Sequence, residues 1–514
     1  MRFLKEIVQI IRQFNPRMSY SFQATNGQLD KSSNIQLFYE GLLNDKFDDD
    51  DAAAQAFYNA PPTDPRYKKL KNKVRKRIIN TLFLVDLNQP SFTDYERAYY
   101  ACCKDWAAAK ILFRKEAREA GIHICHRVHR IALKYEFTEL VIDTARILRL
   151  HYGERGGDIK RYEGYNELFK EHEHIWQMEN LAEEHYTSLV IYYVNSKSYK
   201  QEIHEQASRL FAELAPALQQ YETAKLHMIG NLIQVIACMS VNDYTTTINV
   251  CRRAIDFFEA KPFTYKTALN VFLYQKLVCL TQLREYDEGK RIAEKSLKLL
   301  EAGTFNWFKC QELYFTLSLH TGNYQQALQI YDQVQRNKRF SFLPLNIQEI
   351  WTIYEAYLYY LVEVEQMEFT QSKVKLKKFR LGKFLNEVPI FSKDKRGLNI
   401  PILVIQILFL ISRKKYDEAI DRIEAIEKYC SRYLRKNETF RSNCFIKMLL
   451  QIPISSFHKA GVKRRAQPYY DKLLEAPLEI AQQVHEIEII PYEDLWQMAL
   501  KSLDLKFHRS GSTY

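Results

Sequence analysis

An all-α fold of stacked helical hairpins is what this chain of 514 residues predicts, and three observations predict it. Glycine and proline supply only 15 and 14 residues, too few for the turns of a strand-rich chain. Few segments alternate apolar and polar residues; apolar side chains instead recur at three- and four-residue steps. One local pattern also returns along the chain: an aromatic residue, two polar or acidic residues, then a small residue, opening an apolar-striped helix. Its clearest copy is GNYQQALQIYDQV at residues 322–334.

In that copy Gly322 and Asn323 break an apolar run and Tyr324 starts a helix. Ala327 is small enough to admit a neighbouring helix, and Leu328, Tyr331 and Val334 share one face. A two-helix unit with one apolar stripe per helix leaves that stripe in water unless copies stack on it. Copies stand at Tyr244, Tyr286 and Tyr416, with weaker ones at Tyr199 and Phe369, at intervals of 38 to 47 residues. The pattern resembles the inter-helix turn of tetratricopeptide repeats, best at Ala327 and Ala419; Thr247, Gly289 and Lys373 depart from it in the same slot. The chain is similar to bacterial proteins of that repeat type. The resemblance implies a right-handed α-solenoid with helices longer than the roughly 34-residue unit allows, and a protein that binds partners rather than performing chemistry.

Residues 1–14 form an amphipathic helix with Phe3, Ile7, Ile10, Ile11 and Phe14 on one side. It either lies on a membrane surface or, more commonly for such helices, packs back on its own domain. Residues 15–33 are polar and aperiodic, which predicts a linker. The four aspartates 48–51 lack the spacing of a calcium loop and suit the opening turn of a helix. Asp64 and Pro65 then start a helix expected to reach about Leu87, striped by Tyr67, Leu70, Val74, Ile78, Leu82 and Val85. Seven of the ten residues 68–77 are cations, which either grip phosphates or form a solvated helix face.

Repeats are expected from about residue 92, with Trp106 in the aromatic slot of one turn, Tyr135 in another and a glycine-containing loop at 154–159. The domain plan is therefore residues 1–33, a helical region 34–91, a first repeat region 92–197, the main array 198–480, and a cap and tail 481–514. In the cap, Leu495, Trp496 and Leu500 are expected to cover the exposed end of the array. Eight of thirteen histidines fall between 123 and 204; His126, His129 and Cys125 lie within a helical turn of each other, yet nothing in the sequence shows the convergence a metal needs. No metal site, catalytic residue or cofactor is expected, and the protein reads as a non-enzyme.

The net charge of +12 is local. Residues 373–396 hold a surplus of seven cations and residues 432–465 a surplus of eight. The first window offers Lys373, Lys375, Lys377, Lys378, Arg380 and Lys383; the second offers Arg432, Arg435, Lys436 and Arg441. Stacked on one wall they would take an acidic or phosphorylated segment of a protein partner, or a nucleic-acid backbone; pointing apart, they are solvated faces. Tyr359 and Tyr360, adjacent on a helix at 346–362, diverge by about 100 degrees, so one of them is left for the groove. The expected function is a scaffold or adaptor binding a protein or peptide. An RNA-binding helical-repeat protein is the alternative, and a peptide-sensing regulator a further one. Nine cysteines without a paired spacing, no signal-peptide pattern and no apolar run of the roughly 20 residues a membrane span needs predict the cytoplasm.

Overall fold

The computed structural model describes residues 1–14, 33–83, 86–88, 92–195, 200–367, 399–433, 440–476, 478 and 488–504. Among these are 21 α-helices and no strand, and no helix long and apolar enough to cross a membrane. The chain divides into two compact units, Met1–Leu181 with Pro262–Thr264, and Ala182–Lys261 with Tyr265–Tyr514. The predicted linker at 15–33 falls, but for Ser33, outside the described residues.

The first unit holds two cores. In one, α1 (Arg2–Phe14), α2 (Asn34–Leu43), α3 (Asp50–Tyr58) and α4 (Pro65–Leu82) enclose Leu4, Val8, Ile11, Phe38, Tyr67, Val74 and Ile78. Helix α1 thus packs on its own domain, but through the ridge Leu4, Val8 and Ile11, while Phe3 and Ile10 of the expected stripe are exposed. Asp49 caps α3 by accepting from the Ala52 N–H at 2.8 Å. Asp50 goes beyond dipole complementarity. Burial pushes its carboxyl pKa up, but hydrogen bonds from Lys71, Tyr67 and the Met1 amino group outweigh that and hold it down at about 2. Asp64 caps α4 as expected, though the helix ends at Leu82.

In the second core, α5 (Asp94–Arg114), α6 (Arg118–Lys134) and α7 (Thr138–His151) pack in sequence, with α8 (Ile159–Asn195) following. Two expectations fail here. Trp106 lies inside the unbroken α5 rather than at a turn, because Asp94, Tyr95 and Glu96 open the helix earlier through a complete capping box on Thr93. The glycine-containing loop is a widened helical turn at Tyr152–Gly156, and α8 beyond it is one helix of 37 residues rather than a hairpin.

The second unit is a succession of helices packed on their chain neighbours: α9 (Lys200–Gln220), α10 (Ala224–Ser240), α11 (Tyr244–Glu259), α12 (Lys266–Gln282), α13 (Tyr286–Leu299), α14 (Phe305–His320), α15 (Tyr324–Arg336) and α16 (Leu345–Glu363). Helices α17 (Asn399–Ser412), α18 (Tyr416–Tyr433), α19 (Phe440–Ile454) and α20 (Lys459–Glu475) continue it, and α21 (Tyr492–Ser502) packs against α17, α19 and α20.

One turn recurs between these helices. Asn242, Arg284, Gly322, Glu365 and Lys414 all adopt positive φ. The next residue's N–H then reaches five residues back, from Asp243 to Cys238, Glu285 to Leu280, Asn323 to Ser318, Gln366 to Leu361 and Lys415 to Leu410, at 2.8–3.0 Å. This is a Schellman cap, which satisfies carbonyls orphaned at the helix end. Gly322 alone carries the glycine that makes the left-handed conformation cheap; the other four hold it against a cost of about 1 kcal/mol. Tyr244, Tyr286, Tyr324 and Tyr416 open the following helices at their predicted positions.

The slot one turn into each such helix is closed to solvent whatever fills it. Thr247, Ala327 and Ala419 are all 0% exposed, and a methyl added at Gly289 would collide with Leu317. Thr247 and Gly289, which depart from the repeat pattern, therefore obey its steric rule, smallness; Lys373 lies outside the described residues. Ala327→Leu is expected to destabilise the protein by about 1–3 kcal/mol through overpacking. Gln329→Leu, exposed two residues further on, should change stability by less than about 0.5 kcal/mol; urea midpoints of the two variants check the contrast.

Candidate functional site

Of the residues expected to bind a partner, three have described side chains. Tyr360 is 0% exposed and packs edge-on against Phe409 with ring centroids 5.5 Å apart. Burial pushes its phenol pKa up. Tyr359 is half-buried against the same core. The two neighbours diverge as helix geometry requires, and Tyr360 is the one withdrawn from any groove.

Arg441 is withdrawn as well, and for a different reason. Its side chain is 10% exposed, and Nε and Nη2 form a fork onto Glu488 at 3.0 and 2.8 Å. Nη2 also donates to Glu493 at 2.5 Å, and Nη1 to the carbonyls of Leu473 and Ala476 at 3.0 and 2.7 Å. All five N–H donors of the guanidinium are spent, so none remains for a ligand. Burial works against its charge, but the two glutamates more than offset this and its pKa is raised. An acidic segment does meet basic side chains here, but it is the chain's own.

That segment does more than cover the last hairpin. Leu495, Trp496 and Leu500 are buried as expected. In addition Arg284 donates to Glu493 at 2.6 Å, His320 Nε2 meets the Glu488 carbonyl at 2.8 Å, and Lys414 bonds Asp504 at 2.7 Å. Residues 488–504 therefore bind the ends and turns of hairpins far apart in sequence, a role no local pattern announces. Lys373, Lys375, Lys377, Lys378, Arg380, Lys383, Arg435 and Lys436 lie outside the described residues; Arg432 lies in α18, its side chain undescribed.

A groove with room for a ligand sits on the stretch that best shows the repeat pattern. A groove of about 610 Å³ is lined by residues 322–326 together with Gln329, Gln366 and Met367. Two of the Schellman turns build it: the one at Gly322 leads into α15, and the one at Glu365 presents Gln366 and Met367. Asn323 donates to the Thr321 carbonyl and hydroxyl at 3.2 and 2.9 Å, and Gln366 to the Val364 carbonyl at 3.3 Å. The side-chain amides of Gln325, Gln326 and Gln329 bond no other described residue. Among the described residues no charged side chain lines the groove. A primary amide offers a donor pair and an acceptor from one planar group, which matches both the C=O and the N–H of a peptide unit. The charge count directed attention to the basic windows; five amides within residues 323–329 and 366 were the available signal.

His126 and His129 of the first unit are committed to internal partners. His126 Nε2 meets the Tyr152 hydroxyl at 2.9 Å and its Nδ1 the Tyr165 hydroxyl at 3.3 Å. His129 Nδ1 meets Thr144 Oγ1 at 2.8 Å. Cys125 Sγ also turns to Thr144, toward its carbonyl at 3.7 Å. The Thr144 hydroxyl donates to the Leu140 carbonyl at 2.6 Å, so His129 carries its proton on Nδ1. Among the described residues no three His, Cys, Asp or Glu side chains converge as metal ligands would.

Compared with protein-family models, curated proteins and solved structures, the chain matches none.

Proposed function

We propose that the protein is a non-enzymatic scaffold whose second unit is a right-handed, tetratricopeptide-like solenoid, and that it holds an extended segment of a partner protein in the groove at 322–329. The observation that carries this reading is a groove built by two of the Schellman turns and lined, among the described residues, by five amides, three of them unengaged, and by no charge. Extended peptides present alternating N–H and C=O groups, and amide side chains answer both. The acidic-segment reading loses Arg441, and the RNA reading finds no cation among the described residues of the groove. The proposed location is a reducing cytoplasm, supported by eight described cysteines that all remain free thiols.

Affinity capture with tagged protein from its own cells, followed by mass spectrometry, tests the proposal. Replacing Gln326 and Gln329 together by leucine removes hydrogen bonds worth about 0.5–1.5 kcal/mol each. The partner retained by the unaltered chain is expected to bind roughly 5- to 150-fold more weakly. Its affinity should vary little with salt; a steep fall on raising salt would instead favour a phosphate backbone. An unchanged affinity in the double variant removes the groove from consideration.

A further inference from the structure

Helix α1 carries more apolar surface than its core covers. Leu4, Val8 and Ile11 point inward, each at most 1% exposed. The adjoining ridge, set by the roughly 100 degrees per residue of a helix, holds Phe3, Ile7 and Ile10. On it Phe3 is 52% and Ile10 45% exposed, and Ile7 is half-buried. Glu6, one turn before Ile10, marks the ridge's solvent edge.

Cations border this ridge. The Arg75 guanidinium lies over the Phe3 ring, 5.7 Å from its centroid. Lys68, Lys71, Asn72 and Arg75 of α4 join Met1, Phe3 and Leu4 around a cavity of about 450 Å³. Helix α4 contains no acidic residue. Lys71 is committed to Asp50 at 2.7 Å. Lys68, Lys69, Lys73, Arg75 and Lys76 are exposed and pair with no carboxylate among the described residues.

We infer that α1 and α4 together form a docking surface for an anionic phospholipid bilayer. Phe3 and Ile10 enter the boundary between headgroups and acyl chains, the exposed cations of α4 meet the lipid phosphates, and the cavity beside Phe3 takes one headgroup. Apolar side chains flanked by lysine and arginine are the two components that interfacial binding sums. A nucleic acid would use the cations, but a bilayer answers both the cations and the exposed apolar pair Phe3 and Ile10. The surface lies in the first unit and is independent of the peptide groove.

Co-sedimentation of the full chain with vesicles tests this. Binding is expected to vesicles of phosphatidylcholine mixed with phosphatidylglycerol and not to phosphatidylcholine alone, and to weaken as salt rises. Lys69→Gln with Arg75→Gln should cost about fivefold per cation removed. Phe3→Ser with Ile10→Ser should abolish sedimentation while circular dichroism stays unchanged, since both positions are exposed. Glycerophosphate should fail to compete; effective competition would mean that the cavity binds a free anion and would overturn the bilayer assignment. Absence of binding to the anionic vesicles, equal binding to neutral ones, or loss in the cation variant with none in the apolar variant would each overturn it. The last result, joined by retention of an RNA homopolymer, would assign the surface to nucleic acid.

Discussion

Arg441→Ala is expected to destabilise the second unit by about 3–5 kcal/mol, because it leaves the buried Glu488 carboxylate without its counter-charge. Glu488 is 4% exposed, and the Tyr492 N–H at 2.6 Å is no substitute for a guanidinium. The carbonyls of Leu473 and Ala476 would lose the donor that ties the end of α20 to α19. The unfolding midpoint should fall by roughly 5–10 °C, given about 2 °C per kcal/mol for a unit of this size. Combining Arg441→Met with Glu488→Met should cost less than the sum of the single changes, since the double variant removes the stranded charge with its partner. Differential scanning calorimetry on the set decides the matter; additive losses would mean that the pair is not coupled. A charge reversal at Arg441 would accordingly report on folding and not on capture of a ligand.

Acid is expected to weaken both units between about pH 6.5 and pH 4. His320 in the second unit is 3% exposed, and burial pushes its pKa down from 6.5 to about 4, with Arg284 and Arg441 adding to the effect against the Glu488 carbonyl. The geometry shows why. Nε2 donates to that carbonyl at 2.8 Å, while Nδ1 is buried with no partner, so a second proton would have nowhere to bond. In the first unit burial, helped by His126 and His172, likewise lowers His129 to about 4.

For a histidine lowered in this way the unfolded chain takes up a proton near pH 6.5 that the folded chain refuses. The stabilisation is therefore complete above that pH and is lost as pH falls toward 4. Each residue accounts for about 3 kcal/mol at full effect. Asp50 acts in a separate, lower window, its contribution lost only as pH drops from about 4 toward 2. Urea unfolding at pH 7 and pH 4.5 should show the loss, and His320→Gln, which can still donate to Glu488, should flatten the pH dependence of the second unit. An unaltered dependence in that variant would show that His320 is not the titrating group.

Much of the fold was legible because it is local. Tyr244, Tyr286, Tyr324 and Tyr416 mark helix starts since each follows a residue that ends the previous helix, and Asp49, Asp64 and Thr93 cap the helices they precede. Trp106 misled because an aromatic before a run of alanines suits the interior of a long helix as well as a repeat turn. The left-handed turn residues went unread because Asn242, Arg284, Glu365 and Lys414 carry no glycine to announce them. For the site, a charge count can sum Arg441 but cannot see Glu488 folded back onto it from 47 residues away.

By itself the sequence determined that the chain is helical, where most helices begin, and that small residues must stand where helices cross, since propensity, capping and periodicity act within a few residues. Only the tertiary structure decided which cations are spent inside, which ridge of α1 is buried, and that two turns some forty residues apart in sequence enclose an amide-lined groove. Those outcomes depend on which surfaces meet. Burial and pairing are properties of that meeting, and no stretch of chain carries them alone.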